Sequence, residues 1–240
     1  RAIPNYNFDK AKTIVSFEAD FLADWHGGFE KGYAVSRDPN GNMSHHIQFE
    51  ANMTLTGANA DKRVVTTGAQ QVNALINLYN KVTGSSISFT PNAAIDAEVE
   101  NAYKALRKAG SGAVVVAGMN DAEAQSIAFA INIALQSEVF DPLNPLHIRK
   151  GSDTALAEAI ADIKSKKASG LITYNVNPVY NTVNGAELAE AIKGLKLSVS
   201  ISEQNNISAT ATEYVLPAPH YLESWGDVQM TAGHYGLVQP

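Results

Sequence analysis

The chain contains no cysteine. Disulfides, thiolate nucleophiles, zinc–thiolate sites and cysteine-ligated iron–sulfur clusters are therefore excluded from its own residues. Compartment stays open, because a thiol-free chain suits oxidising and reducing surroundings alike. Positive charge is also short. Eighteen Lys and Arg face 24 Asp and Glu, for a net charge of -6. That balance argues against a nucleic-acid partner, which requires a basic face. No block of like charge forms a tail. The longest strongly apolar stretch, Ile127 to Leu135, is interrupted by Asn132 and is too short to span a bilayer. Signal peptide, P-loop and G-x-S-x-G nucleophile motif are all missing. The chain opens at Arg1 and stops at Pro240 just after "YGLVQ", which reads as a segment of a longer protein.

What remains is 240 residues, 45% hydrophobic and 18% charged, enough for one large domain or two small ones. Five apolar, β-branched runs read as strands: Thr13–Phe17, Ala113–Ala117, Gly170–Val176, Leu197–Ile201 and Tyr214–Leu216. Helical periods fall between most of them, over Gln70–Val82, Ala93–Lys108, Asp121–Gln136 and Asp153–Lys167. The third is apolar nearly all round and reads as well buried. Asn120 before Glu123, and Asn184 before Glu187, resemble capping boxes, and Gly194 suits a left-handed stop. The rhythm predicts an α/β domain over residues 1–240, with a doubly wound, mostly parallel, Rossmann-like sheet. Residues 21–67 show no clear period and read as an irregular excursion, with "TGANADKR" as a turn. No internal repeat is visible.

In such sheets ligands bind beyond the carboxyl ends of the strands. After the first strand stand Glu18 and Asp20, with no glycine. Two carboxylates oppose a phosphate, whereas a phosphate turn needs glycines and free N–H groups. On residue type alone this is a solvated acidic turn. After the third strand Asn177 precedes Pro178; its amide either reaches a ligand or closes an Asx turn, and residue type favours the turn. His45 and His46 are adjacent and point opposite ways on regular structure. The other histidines, His26, His147, His220 and His234, are scattered, so no metal set is expected. Glu50, Glu223 and Asp227 have no visible partner, and Trp25 and Trp225 read as packing anchors.

The segment "LITYNVNPVYN" (Leu171–Asn181), followed about forty residues later by "EYVLPAPHYLESWGD" (Glu213–Asp227), resembles the molybdopterin oxidoreductase superfamily. "TIVSFEADFL" resembles that family's earlier strand and cofactor turn. With "MSHHIQFEANMTLTGANADKR", "AFAINIAL" and "HYLESWGDVQ", the chain looks most like the molybdopterin-like domain of the large periplasmic iron–sulfur (B) subunit of bacterial alternative complex III. The resemblance spans nearly the whole chain. It implies a periplasmic, peripheral position in a respiratory, menaquinol-oxidising membrane complex. It also implies partners: the Fe–S domain of the same subunit, a multiheme cytochrome and quinol-binding membrane subunits, with Fe–S clusters and hemes carried elsewhere.

The resemblance implies further that this domain holds no molybdenum and no catalytic residue. Glu18-Ala19-Asp20 stands where active relatives commonly have a glycine-containing turn near a nucleotide phosphate. Glu18, Asp20, Asn177, Pro178, His220 and Glu223 would then be a vestigial pterin site whose side chains bond to the protein itself. The leading expectation is a cofactor-free scaffold. One alternative is part of an active, polysulfide-reductase-like catalytic subunit, with Asn177, Pro178 and Glu223 along the pterin nucleotide. Another is a module binding a small uncharged or cationic ligand.

Overall fold

The computed structural model describes residues 3–41, 43–146 and 151–240; Arg1 and His147 lie outside them. The chain forms two compact units, with described residues 3–146 in the first and 151–240 in the second.

In the first unit the elements are β1 (Ile3–Tyr6), β2 (Thr13–Phe17), α1 (Phe29–Val35), β3 (His45–Glu50), α2 (Leu55–Ala58), β4 (Lys62–Val65), α3 (Gly68–Thr83), α4 (Ala93–Ala109), β5 (Ala113–Ala117), α5 (Ala122–Ala134) and β6 (Phe140–Leu146). Strands β2–β5 make a parallel sheet in the order β4-β3-β2-β5. β1 and β6 pair antiparallel. Every residue of β2 and β5 is buried, which is why both read as continuous apolar runs. One face packs Val15, Phe17, Ile47, Phe49 and Val115 against α3, α4 and α5 through Leu75, Leu78, Val99, Leu106 and Ile131. The other face meets an aromatic cluster containing Phe8, Phe21, Phe29 and Tyr33. Trp25 joins that cluster, about 6 Å from Tyr6 and Phe29.

The second unit runs α6 (Asp153–Lys164), β7 (Gly170–Tyr174), α7 (Pro178–Asn181), α8 (Gly185–Lys193), β8 (Leu197–Ser202), β9 (Tyr214–Pro217), β10 (Gly226–Thr231) and β11 (His234–Val238). β7, β8 and β9 form a parallel sheet in that order, and β10–β11 is an antiparallel hairpin. Its apolar core is small: Ile163, Val179, Leu188, Ile192 and Ala211.

Several details differ from the sequence reading. Residues 21–67 are no excursion: they supply β3 and β4, half of the four-stranded sheet, and "TGANADKR" spans the end of α2 and the start of β4. The α5 cap is Asp121, not Asn120. Asp121 is extended and its carboxylate accepts from Ala124 N at 2.7 Å, and its charge suits the helix N-terminus. Asn184 holds the predicted position before α8 but makes no side-chain cap bond, since its ψ of 44° is not the extended cap geometry. Gly194 closes α8 in the right-handed region. Bonds from Gly194 N to Ala191 O and from Leu195 N to Ile192 O tighten the last turn, so no left-handed residue is needed. β7 stops at Tyr174 because Asn175 turns left-handed at φ 46°. α5 is not wholly buried: Phe129 and Ile133 are exposed.

Candidate functional site

The order β4-β3-β2-β5 reverses its winding between β2 and β5, so the crevice at their carboxyl ends is where a ligand of such a sheet would sit. Glu18 and Asp20 lie on that edge. Glu18 is left-handed, with φ 51°, which is uncommon for a residue with a long side chain. Its backbone N donates to Phe49 O at 2.8 Å. Its carboxylate accepts from Ala51 N and from the Gln71 amide. Asp20 accepts from both Thr56 N and Thr56 Oγ1, at 3.0 and 2.8 Å. Gly118 closes the other side. A Cβ there would lie 2.1 Å from Glu18 O and 2.6 Å from the Ala19 Cα, so two backbones touch where a crevice would open. The neighbouring Ala51 and Thr56 N–H groups are bound by the protein's own carboxylates. Two carboxylates on a closed turn do not fit the phosphate of a pterin nucleotide.

Behind this turn a buried polar row crosses the sheet. On β3, His46, Gln48 and Glu50 face one side while Ile47 and Phe49 face the other, and all five are buried. His45, by contrast, is exposed. His46 Nε2 lies 2.7 Å from Ser16 Oγ and its Nδ1 lies 3.0 Å from Tyr33 Oη. Burial and the Arg37 charge lower the His46 pKa to about 3, so the ring is neutral. Ser16 also bonds to Gln48, and Gln48 donates to Glu50 at 3.2 Å. Glu50 is the carboxylate that lacks a visible partner in the sequence, yet it accepts from Arg63 at 2.5 Å and from Thr54 Oγ1 at 2.7 Å. Burial pushes its carboxyl up, but the bonds from Thr54, Arg63 and Gln48 outweigh that and hold it below its ordinary value. Arg37 pairs with Asp61 at 2.6 Å, and Asp61 accepts His46 N at 2.7 Å. A Ser–His pair at this distance is the beginning of a nucleophile. Here both members are wholly enclosed, so no substrate reaches Ser16, and the row holds structure together.

In the second unit Asn177 forms no Asx turn. Its Oδ1 accepts from Ser208 Oγ at 2.6 Å, and Ser208 also takes Val179 N. Pro178 starts α7 at its first position, where a missing N–H has no cost. His220 and Glu223 bond to one another's turn: Glu223 accepts His220 N at 3.0 Å and His220 Nδ1 accepts Leu222 N at 3.3 Å. Beside them a cleft of about 270 Å³ opens at the carboxyl ends of β7 and β8. Among its walls are Tyr174, Asn175, Glu203, Tyr221, Trp225 and Asp227. None of the six residues singled out from the sequence lines it. Trp225 is 68% exposed and is no packing anchor.

Sequence reasoning missed both groups. The alternation His-Ile-Gln-Phe-Glu over 46–50 is a strand signal of period two, hidden because its inward residues are polar. The cleft residues are spread over 65 positions of chain, from 174 to 238. Their one local signal is that Asn175 and Glu203 each follow a strand end. Among the described residues no helix is long and apolar enough to cross a membrane, and no three His, Asp or Glu side chains converge as metal ligands. The chain matches no protein-family model and no curated protein.

Proposed function

We propose that this chain is a cofactor-free scaffold and interaction domain, part of a larger periplasmic electron-transfer subunit in a quinol-oxidising respiratory membrane complex of the alternative complex III type. On this reading its two parallel sheets belong to a doubly wound, molybdopterin-oxidoreductase-like fold. The Fe–S domain of the same subunit, a multiheme cytochrome and quinol-binding membrane subunits are its partners. The family assignment rests on the motifs at Leu171–Asn181, Glu213–Asp227 and 43–63.

One observation carries the interaction role. The β7-β8-β9 sheet leaves an apolar face open: Ile172 is 65% exposed, and Leu197, Tyr214 and Leu216 are 45–51% exposed. An apolar surface of this kind on a sheet is a docking site or a liability. The protein-bound carboxylates at Glu18 and Asp20 speak against the active-subunit alternative.

The test has two arms. Ile172→Asp with Leu216→Asp, in the full-length subunit, is expected to fold and yet fail to co-purify with the membrane complex. Elemental analysis of the wild-type complex is expected to show iron without stoichiometric molybdenum or tungsten. Either metal at one per complex, bound to this subunit, overturns the scaffold reading.

A further inference from the structure

The cleft beside β7 and β8 has a consistent chemical character. Three aromatic side chains offer it exposed surface: Tyr174, Tyr221 and Trp225, at 63, 63 and 68%. Two carboxylates, Glu203 and Asp227, line it, and among the described residues no Lys, Arg or His does. The surrounding chain has the same bias. Residues 197–240 contain Glu203, Glu213, Glu223 and Asp227 but not one Lys or Arg.

Among the described residues Glu203 is held in place without a cation. The left-handed turn at Asn175 puts its amide against the start of the next loop. Asn175 Oδ1 accepts Glu203 N at 3.1 Å, and Asn175 Nδ2 donates to Glu203 Oε1 at 3.4 Å. Asp227 is carried on β10, opposite Leu237, and its side chain makes no hydrogen bond or ion pair among the described residues. One carboxylate is thus oriented and the other is uncommitted.

An anion entering this cleft meets like charge. A neutral ligand strips water from two carboxylates and gives nothing back. A cation satisfies both sets of groups, since aromatic faces attract positive charge and carboxylates balance it. The volume is at the lower end for ligand sites, which restricts the ligand to a few heavy atoms. We propose that this cleft binds a small organic cation, with an alkylammonium head against Trp225, Tyr174 and Tyr221 and its charge balanced by Glu203 and Asp227. This inference is independent of the scaffold reading, and each stands if the other fails.

Calorimetric titration of the 240-residue chain with choline, and in parallel with its uncharged isostere 3,3-dimethylbutanol, tests it. Choline is expected to saturate one site. The isostere is expected to bind about tenfold more weakly, the loss of one cation–π and charge contribution. Trp225→Ala and Asp227→Asn should each weaken choline about fivefold or more with an unchanged circular dichroism spectrum, while Glu213→Gln, away from the cleft lining, should not. No saturation by choline, tetramethylammonium or guanidinium overturns the proposal. So does equal binding of the isostere, or wild-type affinity in both cleft variants.

Discussion

The sheets β2-β3-β4 and β7-β8-β9 share one backbone plan. Their strands are five, six and four residues long in the same order. The third strand begins opposite the third residue of the second in both, Lys62 against Ile47 and Tyr214 against Val199. A left-handed residue, Glu18 or Asn175, ends each first strand, and its side-chain oxygen accepts the N–H that follows the second strand, from Ala51 or Glu203. The side chains then diverge. Where the first sheet places His46, Gln48 and Glu50, the second places Ser198, Ser200 and Ser202. The large polar groups recruit Tyr33, Thr54 and Arg63 and become a closed network. The serines need less: Ser198 takes Glu213 N and Ser202 donates to Gln204 O. On the opposite face, Val15 and Val64 lie under helices, while the matching Ile172 and Leu216 lie open. The same sheet plan is thus a sealed body in one unit and a surface with a cleft in the other.

Matched substitutions break this comparison most sharply. Val15→Asp is expected to unfold the first unit, costing more than about 4 kcal/mol, because it buries an unpaired charge. Gly118→Ala drives a Cβ into the Glu18 carbonyl and the Ala19 Cα, and about 3 kcal/mol is expected from urea denaturation followed by circular dichroism. Arg63→Ala strips Glu50 of its counter-ion; about 3 kcal/mol is again expected, since Glu50 has no access to water. If Arg63→Ala is silent, the polar row is not a closed network.

Acid acts on the first unit more gently. In the unfolded chain His46 takes up a proton near pH 6.5, but in the fold only near pH 3. The unfolded state therefore binds more protons across that window, and stability of the first unit falls as pH falls through it, by at most about 1.4 kcal/mol per pH unit. Glu50, with its depressed pKa, extends the loss below its ordinary range. His46→Gln should flatten the slope between pH 6.5 and 4.5, read from urea midpoints. The described histidines of the second unit, His220 and His234, are exposed. The smallest effect is expected from Ile172→Asp, within about 1 kcal/mol. A large loss there would show that this face is covered in the folded chain, and that the contrast with Val15 is false.

Much of the frame was legible. β2 and β5 match their predicted bounds, and α3, α4 and α5 lie within two residues of theirs, because apolar runs and helical periods report burial directly. β3 and β4 were not legible. A strand whose inward residues are His, Gln and Glu looks like a loop until Tyr33, Arg63 and Thr54, 4 to 13 residues away in sequence, are seen to bond to it. The acidic turn is legible as two carboxylates without a glycine, but the sequence does not show that Gln71 and Thr56 tie it down. The cleft was invisible, since its aromatic and acidic walls come from separate strand ends.

The sequence by itself determined the class, an α/β protein with parallel strands, and the sign of its charge, because local period and composition carry both. Only the tertiary structure decided which polar groups are buried and which are free. Glu50 and Asp227 are both carboxylates without a neighbour in sequence. One is enclosed by Arg63 from the neighbouring strand and by Thr54 at the start of α2, and the other stands in an aromatic cleft. Burial and partners are set by distance in space, and the chain fixes that distance only when it folds.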